Sequence, residues 1–579
     1  MIRRLGDQVS RRRFLAATAA GGAGLLAGRI QGLWGLPPST RAVVGTLAGS
    51  DAPWIEATFT DLQRLMAARE LSSVELTRAY LRRIERLNPL LHAVIETNPR
   101  ALRIAERLDA ERRQGTVRGP LHGIPILVKD NIATDDSMET TAGSLALVGS
   151  RVPGNAPVVQ RLRHAGAVIL GKANLSEWAN FRGFPPPDFP FDTNFLNGWS
   201  ARGGFTLDPY LLGFDPCGSS SGSASAVAAN LAAAAIGTET DGSIICPAGN
   251  HLIVGLKPTV GLIPAAGIIP IAHSQDSAGP MTRTVEDTAV LMNVLSRSTF
   301  RGETTPDFTT FLDPDGLRGA RVGIERRLFQ PEYFGLPEIV AVVEEAIDAM
   351  RYAGATIVDP VDTGDPFAWN EAEFTVLLYE FKHDIEIYLG GLSHTSMRTL
   401  GDLIQFNIDH CEQEMKYFGQ EIFELAESIG GDLTDRDYLK ARALGRRLAR
   451  DEGIDRVMAE HRLDAVLSPS YGFGSSAPAV AGYPVISVPV GLAANGWPAG
   501  AWLYAGFRQE SSLIGIAYAM EQLLHARSRP RLRGAEPPEP PDAGICAAPM
   551  VAAATGPLEP GNLAAILRAR GHGHMRPGR

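Results

Sequence analysis

Three short segments carry residues with the means to do chemistry. Cys217-Gly-Ser-Ser-Ser-Gly-Ser223 and Thr238-Glu-Thr-Asp-Gly-Ser-Ile244 place Ser219 and Ser243 in two small-residue turns, and Gly123-Ile-Pro-Ile-Leu-Val-Lys-Asp130 delivers one lysine, Lys129, from an apolar run. A serine hydroxyl is a poor nucleophile until a base takes its proton. Neutral lysine is such a base, and a serine it activates attacks acyl carbons, an amide's included, with no histidine required. Lowering a lysine from about 10.4 to pH 7 is worth about 4.6 kcal/mol, which burial among apolar groups supplies. Ile124, Ile126, Leu127 and Val128 offer those apolar walls. Asp130 adjoins Lys129, but strand neighbours point to opposite faces, so the two need not pair. The amine is expected to face a surface, so that its removal spares the fold.

These segments have decoy readings. Gly166-Ala-Val-Ile-Leu-Gly-Lys172 mimics a phosphate-binding loop, yet it ends in Ala173 and its middle is an apolar strand, which cannot cradle phosphate. Gly218-Ser-Ser-Ser-Gly222 fits a nucleophile elbow with Ser220 as attacker. An elbow needs a strand running into it, and Asp215-Pro216 precedes it instead. A flexible Gly/Ser linker is the third decoy. The helix-forming run Ala224 to Ala235 that follows argues against one.

The elements around these segments alternate. Ser72-Ser-Val-Glu75 reads as a capping box, and Leu76, Tyr80, Ile84 and Leu87 recur at helical spacing until Pro89. A helix over 156–164 leads through Gly166 into the buried-strand pattern Ala167-Val-Ile-Leu170. Further strands are expected at Leu317 to Ile324, Leu463 to Leu467 and Pro484 to Pro489, with a helical insertion over about 335–462. Helices alternating with short apolar strands predict an α/β layered fold. One large domain is expected over 55–532. The tail 533–579, rich in Pro, Ala and Gly, is expected to be disordered.

Bulk properties restrict the function classes. Among 579 residues, 45% are hydrophobic and 21% charged, and the net charge is −9, a composition that suits a globular protein and does not favour a nucleic-acid partner. The cysteines Cys217, Cys246, Cys411 and Cys546 show no C-x-x-C spacing, so neither a zinc site nor a disulfide scaffold is implied, and they read as small buried residues. His572 and His574 are too few to argue for metal. Ser10-Arg-Arg-Arg-Phe-Leu15 followed by a short Ala/Gly/Leu stretch to Gly28 fits a twin-arginine export signal within a leader and linker over 1–45. The expected location is therefore periplasmic or extracellular, without stable membrane insertion.

Taken together, the two serine turns and the lysine segment resemble the amidase signature family, over most of the chain from about Thr60 to Leu532. Supporting blocks include Gly171-Lys-Ala-Asn-Leu-Ser176, Gly255-Leu-Lys-Pro-Thr-Val-Gly261 and Ala481-Gly-Tyr-Pro484. The resemblance implies a mixed central β-sheet layered between α-helices. It implies Ser243 as nucleophile, Ser219 as a bridging serine entered through a cis peptide bond, and Lys129 as base. It implies an oxyanion hole from the N–H groups of Thr240, Asp241, Gly242 and Ser243. No cofactor, metal or obligatory protein partner is implied.

The commonest signature reads Thr-Asp-x-Gly-Gly-Ser-Ile-Arg, whereas Glu239, Asp241 and Ile245 stand here. Those changes resemble the peptide-amidase-like branch and disfavour a glutaminase of the glutamyl-tRNA amidotransferase kind. The other alternative is a catalytically dead binding protein with the same fold. Phe184, Phe189 and Phe191 lie in a lengthened loop and either line a rim for an apolar substrate group or pack on one another. The expected substrate is a primary or aryl amide, with the C-terminal amide of a peptide foremost.

Overall fold

A computed structural model describes residues 52–184 and 197–547. The twin-arginine segment and the aromatics Phe189 and Phe191 lie outside the described residues.

Eleven strands form one mixed sheet. In chain order they are β1 (Val94–Thr97), β2 (Pro125–Lys129), β3 (Val168–Ala173), β4 (Ala234–Glu239), β5 (Val254–Lys257), β6 (Ser277–Thr282), β7 (Arg321–Glu325), β8 (Thr356–Val361), β9 (Ala465–Pro469), β10 (Val485–Leu492) and β11 (Pro498–Tyr504). Their order across the sheet is β1-β3-β2-β4-β6-β5-β10-β11-β9-β7-β8. β2 runs parallel to both β3 and β4, with Val128 opposite Ile236. β6 then pairs antiparallel with β4 and β5. The sheet is buried along its centre. β2, β3, β4 and β9 are fully buried, which explains their continuous apolar runs.

Local signals and tertiary packing meet at most boundaries. Ser72 caps Ser73–Leu91: its hydroxyl accepts from the Glu75 N–H at 3.1 Å, and the Glu75 carboxylate accepts from the Ser72 N–H at 2.8 Å. The helix runs past the expected stop at Pro89, because Leu87 and Leu91 both face the core and His92 closes it in the left-handed conformation. The strand expected from Leu317 begins only at Arg321, after a turn over 314–319. From Pro337 to His461 the described chain is largely helical, interrupted by β8 at the sheet edge. Its helices build a second apolar cluster around Phe181, Phe374, Phe381 and Phe423, which covers the segment after β3.

Two expectations are corrected here. The four cysteines form disulfides, Cys217–Cys246 and Cys411–Cys546. Sequence spacing does not reveal them, because the fold and not the local chain brings the partners together. The tail is not free over 533–547. Leu211 bridges Arg533, the Ala543 N–H donates to the Lys416 carbonyl at 2.8 Å, and Glu539 accepts from Lys416 and the Tyr417 hydroxyl at 2.7 and 2.6 Å. Cys546 then fastens this strap covalently, so a Pro-rich segment with little surface to bury is still held.

Candidate active site

Lys129 is the last residue of β2, and its side chain is wholly buried. This corrects the surface-facing placement: the neighbouring strands β3 and β4 and the segment over Ser219 enclose the amine. Nζ lies 2.7 Å from Ser219 Oγ, 3.0 Å from Ser220 Oγ and 3.2 Å from the Thr238 carbonyl oxygen. Burial lowers the lysine to about 7, against the opposing pull of the Glu239 and Asp276 carboxylates. Asp130 turns the other way. It accepts from Thr141 and Gly143 and pairs with Arg202 at 3.3 Å.

The two serine turns converge on this amine. The Gly218–Ser219 peptide is cis. A Cβ at position 218 would stand 2.3 Å from Ser176 Oγ, so only glycine fits there. Ser219 and Ser220 then lead into the buried helix Ser221–Ala228. Ser220 Oγ also lies 3.1 Å from the Thr238 carbonyl, and its N–H donates to the Ser243 carbonyl at 3.1 Å. Thus β4, running through Thr238, carries Ser243 back beside Ser219.

The segment between Thr238 and Ser243 is shaped by a carboxylate. Glu239 accepts the N–H groups of Ile244 and Ile245 at 2.6 and 3.0 Å, folding Thr240, Asp241, Gly242 and Ser243 into a turn with Gly242 at φ +79°. Buried Lys257 faces Glu239, and its Nζ donates to the Tyr483 carbonyl at 2.7 Å. Burial raises Asp241 to about 6, eased first by the Ser475 hydroxyl. Thr240 donates to Asp276 at 2.6 Å, and burial raises Asp276 to about 7.

A cavity of about 430 Å³ opens beside Thr238 and Thr240. Its walls are mainly apolar, from Ala265, Ala266, Ile268, Ile269 and Ile271, with His273, Asp276 and Asp384 supplying polar edges. Asn131, two residues past Lys129, also lines it and donates to Thr238 Oγ1 at 2.9 Å. Phe184 is not among these lining residues. It is buried in the second apolar cluster, its N–H held by Glu421 at 2.9 Å. Ile245 is likewise a core residue, fully buried with its carbonyl accepting from Trp502 at 3.2 Å.

Sequence reasoning missed Lys257, Asp276, Asn131 and the disulfide beside the serines. The Gly255 block, the family-like segment Ser274-Gln-Asp-Ser-Ala-Gly-Pro280 and the position of Cys217 and Cys246 next to the serine turns hinted at them. Lys172, the end of the phosphate-loop decoy, is buried and bonds the Ile132 carbonyl and Thr140. Among the described residues one group has metal-ligand character, His273 with Glu380 and Asp384. Glu380 is already engaged by Tyr438 at 2.8 Å, Arg442 at 3.3 Å and the Ser274 N–H at 2.8 Å, an environment that opposes a cation.

Comparison with known proteins shows the family to which the chain belongs. The Amidase family profile matches residues 75–478. A probable amidase of Arabidopsis thaliana is 41% identical over 493 residues, covering 82% of this chain and 91% of the relative. A glutamyl-tRNA(Gln) amidotransferase chain of Symbiobacterium thermophilum is 34% identical, covering 81% of this chain and 98% of the relative. The solved structure of a peptide amidase from Stenotrophomonas maltophilia is 48% identical, with a TM-score of 0.76, covering 83% of this chain and 99% of that one. The chain belongs to the amidase signature family and is an amide hydrolase.

Proposed function

We propose that Lys129, Ser219 and Ser243 form a proton relay that cleaves a carboxylic amide through an acyl-enzyme on Ser243. The observation that carries this reading is the buried Lys129 amine, 2.7 Å from Ser219 Oγ and lowered to about 7. Neutral Lys129 takes the proton of Ser219, which takes that of Ser243. Ser243 Oγ bonds to the amide carbon, and the negative charge on the carbonyl oxygen is met by N–H groups of the Thr240–Ser243 turn. As the C–N bond breaks, Ser219 returns a proton to the departing nitrogen. Water then adds to the acyl carbon through the same relay, releasing acid and restoring Ser243.

Ser220 is a competing attacker, since it also touches the lysine. Its Oγ is already turned to the Thr238 carbonyl, and its backbone holds Ser243, so it orients the amine instead. A binder without catalysis is disfavoured by the partners of the buried amine: Lys172 and Lys257 are buried against carbonyl oxygens, Lys172 with the Thr140 hydroxyl besides, whereas Lys129 also meets two serine hydroxyls, those of Ser219 and Ser220.

The substrate reading is a primary or aryl amide on an uncharged acyl group, foremost a peptide C-terminal amide. The apolar cavity supports it, as does the 48% identity to solved peptide amidases, one of them in complex with the competitive inhibitor chymostatin. Buried Ile245 contributes nothing to this reading, for its side chain packs in the core. Export by the twin-arginine route remains part of the proposal. Two disulfides favour an oxidising compartment. Among the described residues no helix is long and apolar enough to cross a membrane. The test compares kcat/KM for a peptide amide, an aryl acylamide and free glutamine. Preference for the peptide amide is expected, and strong preference for glutamine would restore the amidotransferase reading.

A further inference from the structure

One covalent bond joins the outer ends of the two serine turns. Cys217 stands just before Gly218 and Ser219, and Cys246 follows Ser243 by one turn of chain, inside the short helix Ile245–Asn250. Their disulfide spans 29 residues with the Cα atoms 5.9 Å apart, and both sulfurs are buried. Everything from Ser219 to Ser243 lies within the loop it closes.

The anchoring on the Cys217 side is dense. Asp215 Oδ1 accepts from the Cys217 N–H at 2.8 Å, and Oδ2 accepts from the Tyr471 hydroxyl at 2.8 Å. The Asn250 amide, on the far side of Cys246, donates to the Asp215 carbonyl at 2.9 Å. The Ser243 turn is held by Glu239 from within its own segment. Beside the hydrogen bonds that link the two segments, Ser220 N–H to the Ser243 carbonyl, Ser220 Oγ with Thr238 and the Asn250 amide to the Asp215 carbonyl, the disulfide is the covalent tie that fixes one serine turn against the other.

We propose that the Cys217–Cys246 disulfide is a positioning device for catalysis: it sets Ser243 against the Ser219–Lys129 pair, and full turnover requires that it be formed. This rests on the roles assigned to Ser219 and Ser243 above. Its formation removes two electrons and two protons from the two thiols and passes them to a disulfide-bearing oxidant, which is left as two thiols. Cys411–Cys546 is a built-in control. It fastens the C-terminal strap and touches neither serine turn.

The experiment compares Cys217→Ser/Cys246→Ser with Cys411→Ser/Cys546→Ser, each checked for fold by circular dichroism. Readouts are amide turnover and the rate at which a fluorophosphonate labels Ser243, which needs no knowledge of the substrate. The first pair should lower kcat roughly 10- to 100-fold and slow labelling in parallel, with KM moved less than about threefold, as expected for misplaced reacting groups. The second should leave kcat within about threefold. A kcat of the first pair within that same margin overturns the proposal. Should that pair not fold, wild-type protein from a reducing host, its thiols verified by alkylation and mass, is assayed before and after oxidation with glutathione disulfide. A rise in kcat at constant circular dichroism is expected. Equal activity, or failure of the thiol form to fold at all, assigns the bond to folding alone and overturns the proposal. Failure of the underlying relay is separately visible, as labelling at a residue other than Ser243 in the oxidised wild type.

Discussion

The backbone N–H of Ser220 donates to the carbonyl oxygen of Ser243 at 3.1 Å, so the residue after one catalytic candidate holds the other in register. The neighbouring side chains of Ser219 and Ser220 both meet Lys129. Two serines therefore share one amine, with Ser243 held beside them through its carbonyl, and substitutions of the three separate their roles.

Ser243→Ala is expected to abolish hydrolysis. Ser219→Ala should lower kcat by about 10³-fold or more, since it breaks the relay. Ser220→Ala should cost on the order of tenfold, because it loosens the amine without removing the path. Steady-state kinetics on one amide substrate checks the ranking. A loss in Ser220→Ala as deep as in Ser243→Ala would revive Ser220 as the attacker.

The acid limb of kcat/KM should fall through about pH 7 as Lys129 gains its proton in the free enzyme. The same depression has a stability consequence. Between about 7 and the ordinary lysine value the unfolded chain binds a proton that the folded chain does not, so this group makes stability rise with pH across that window. Lys129→Met should be inactive and lack this contribution. The unfolding free energy of the wild type, read from denaturant titrations, should rise relative to the variant between about pH 7 and pH 9.5, by on the order of a few kcal/mol. A gap that stays constant with pH would show that the lysine is charged in the folded state.

Much of this centre was legible because small-residue turns and a lone lysine in an apolar run are local signals. Ser219, Ser243 and Lys129 could be singled out from them, their roles following from the family resemblance, and the capping box at Ser72 marked a helix start. What the chain hid is tertiary. Cys217 and Cys246 pair only because β4 returns Ser243 to Ser219. Phe184, left open between a rim and packing, packs into the helical cluster, and Ile245, a departure from the commonest signature, is a core residue whose carbonyl accepts from Trp502. The Pro-rich strap to Ala547 read as disordered because composition does not record that Cys546 and Glu539 have partners across the fold.

Cys411→Ser/Cys546→Ser should lower thermal stability while leaving activity near wild type. The bond closes a separation of 135 residues, so loop entropy gives it an upper value of about 5 kcal/mol. Differential scanning calorimetry checks this. An unchanged transition would mean that the strap is held by its hydrogen bonds and the Leu211–Arg533 bridge without the disulfide.

Arg11→Lys/Arg12→Lys should leave unprocessed protein in the cytoplasm, measured by fractionation and immunoblotting, with turnover below that of exported protein for as long as Cys217 and Cys246 stay reduced. Undiminished export would point to the general secretory route.

The central claim is tested most directly by mapping the acyl site. Wild-type enzyme is treated with a fluorophosphonate, and the modified peptide is located by mass spectrometry, with Lys129→Ala and Ser243→Ala treated alongside. The account predicts a single adduct on Ser243, formed slowly in Lys129→Ala and absent from Ser243→Ala. An adduct on Ser220, or undiminished labelling and turnover in Ser243→Ala, would contradict it.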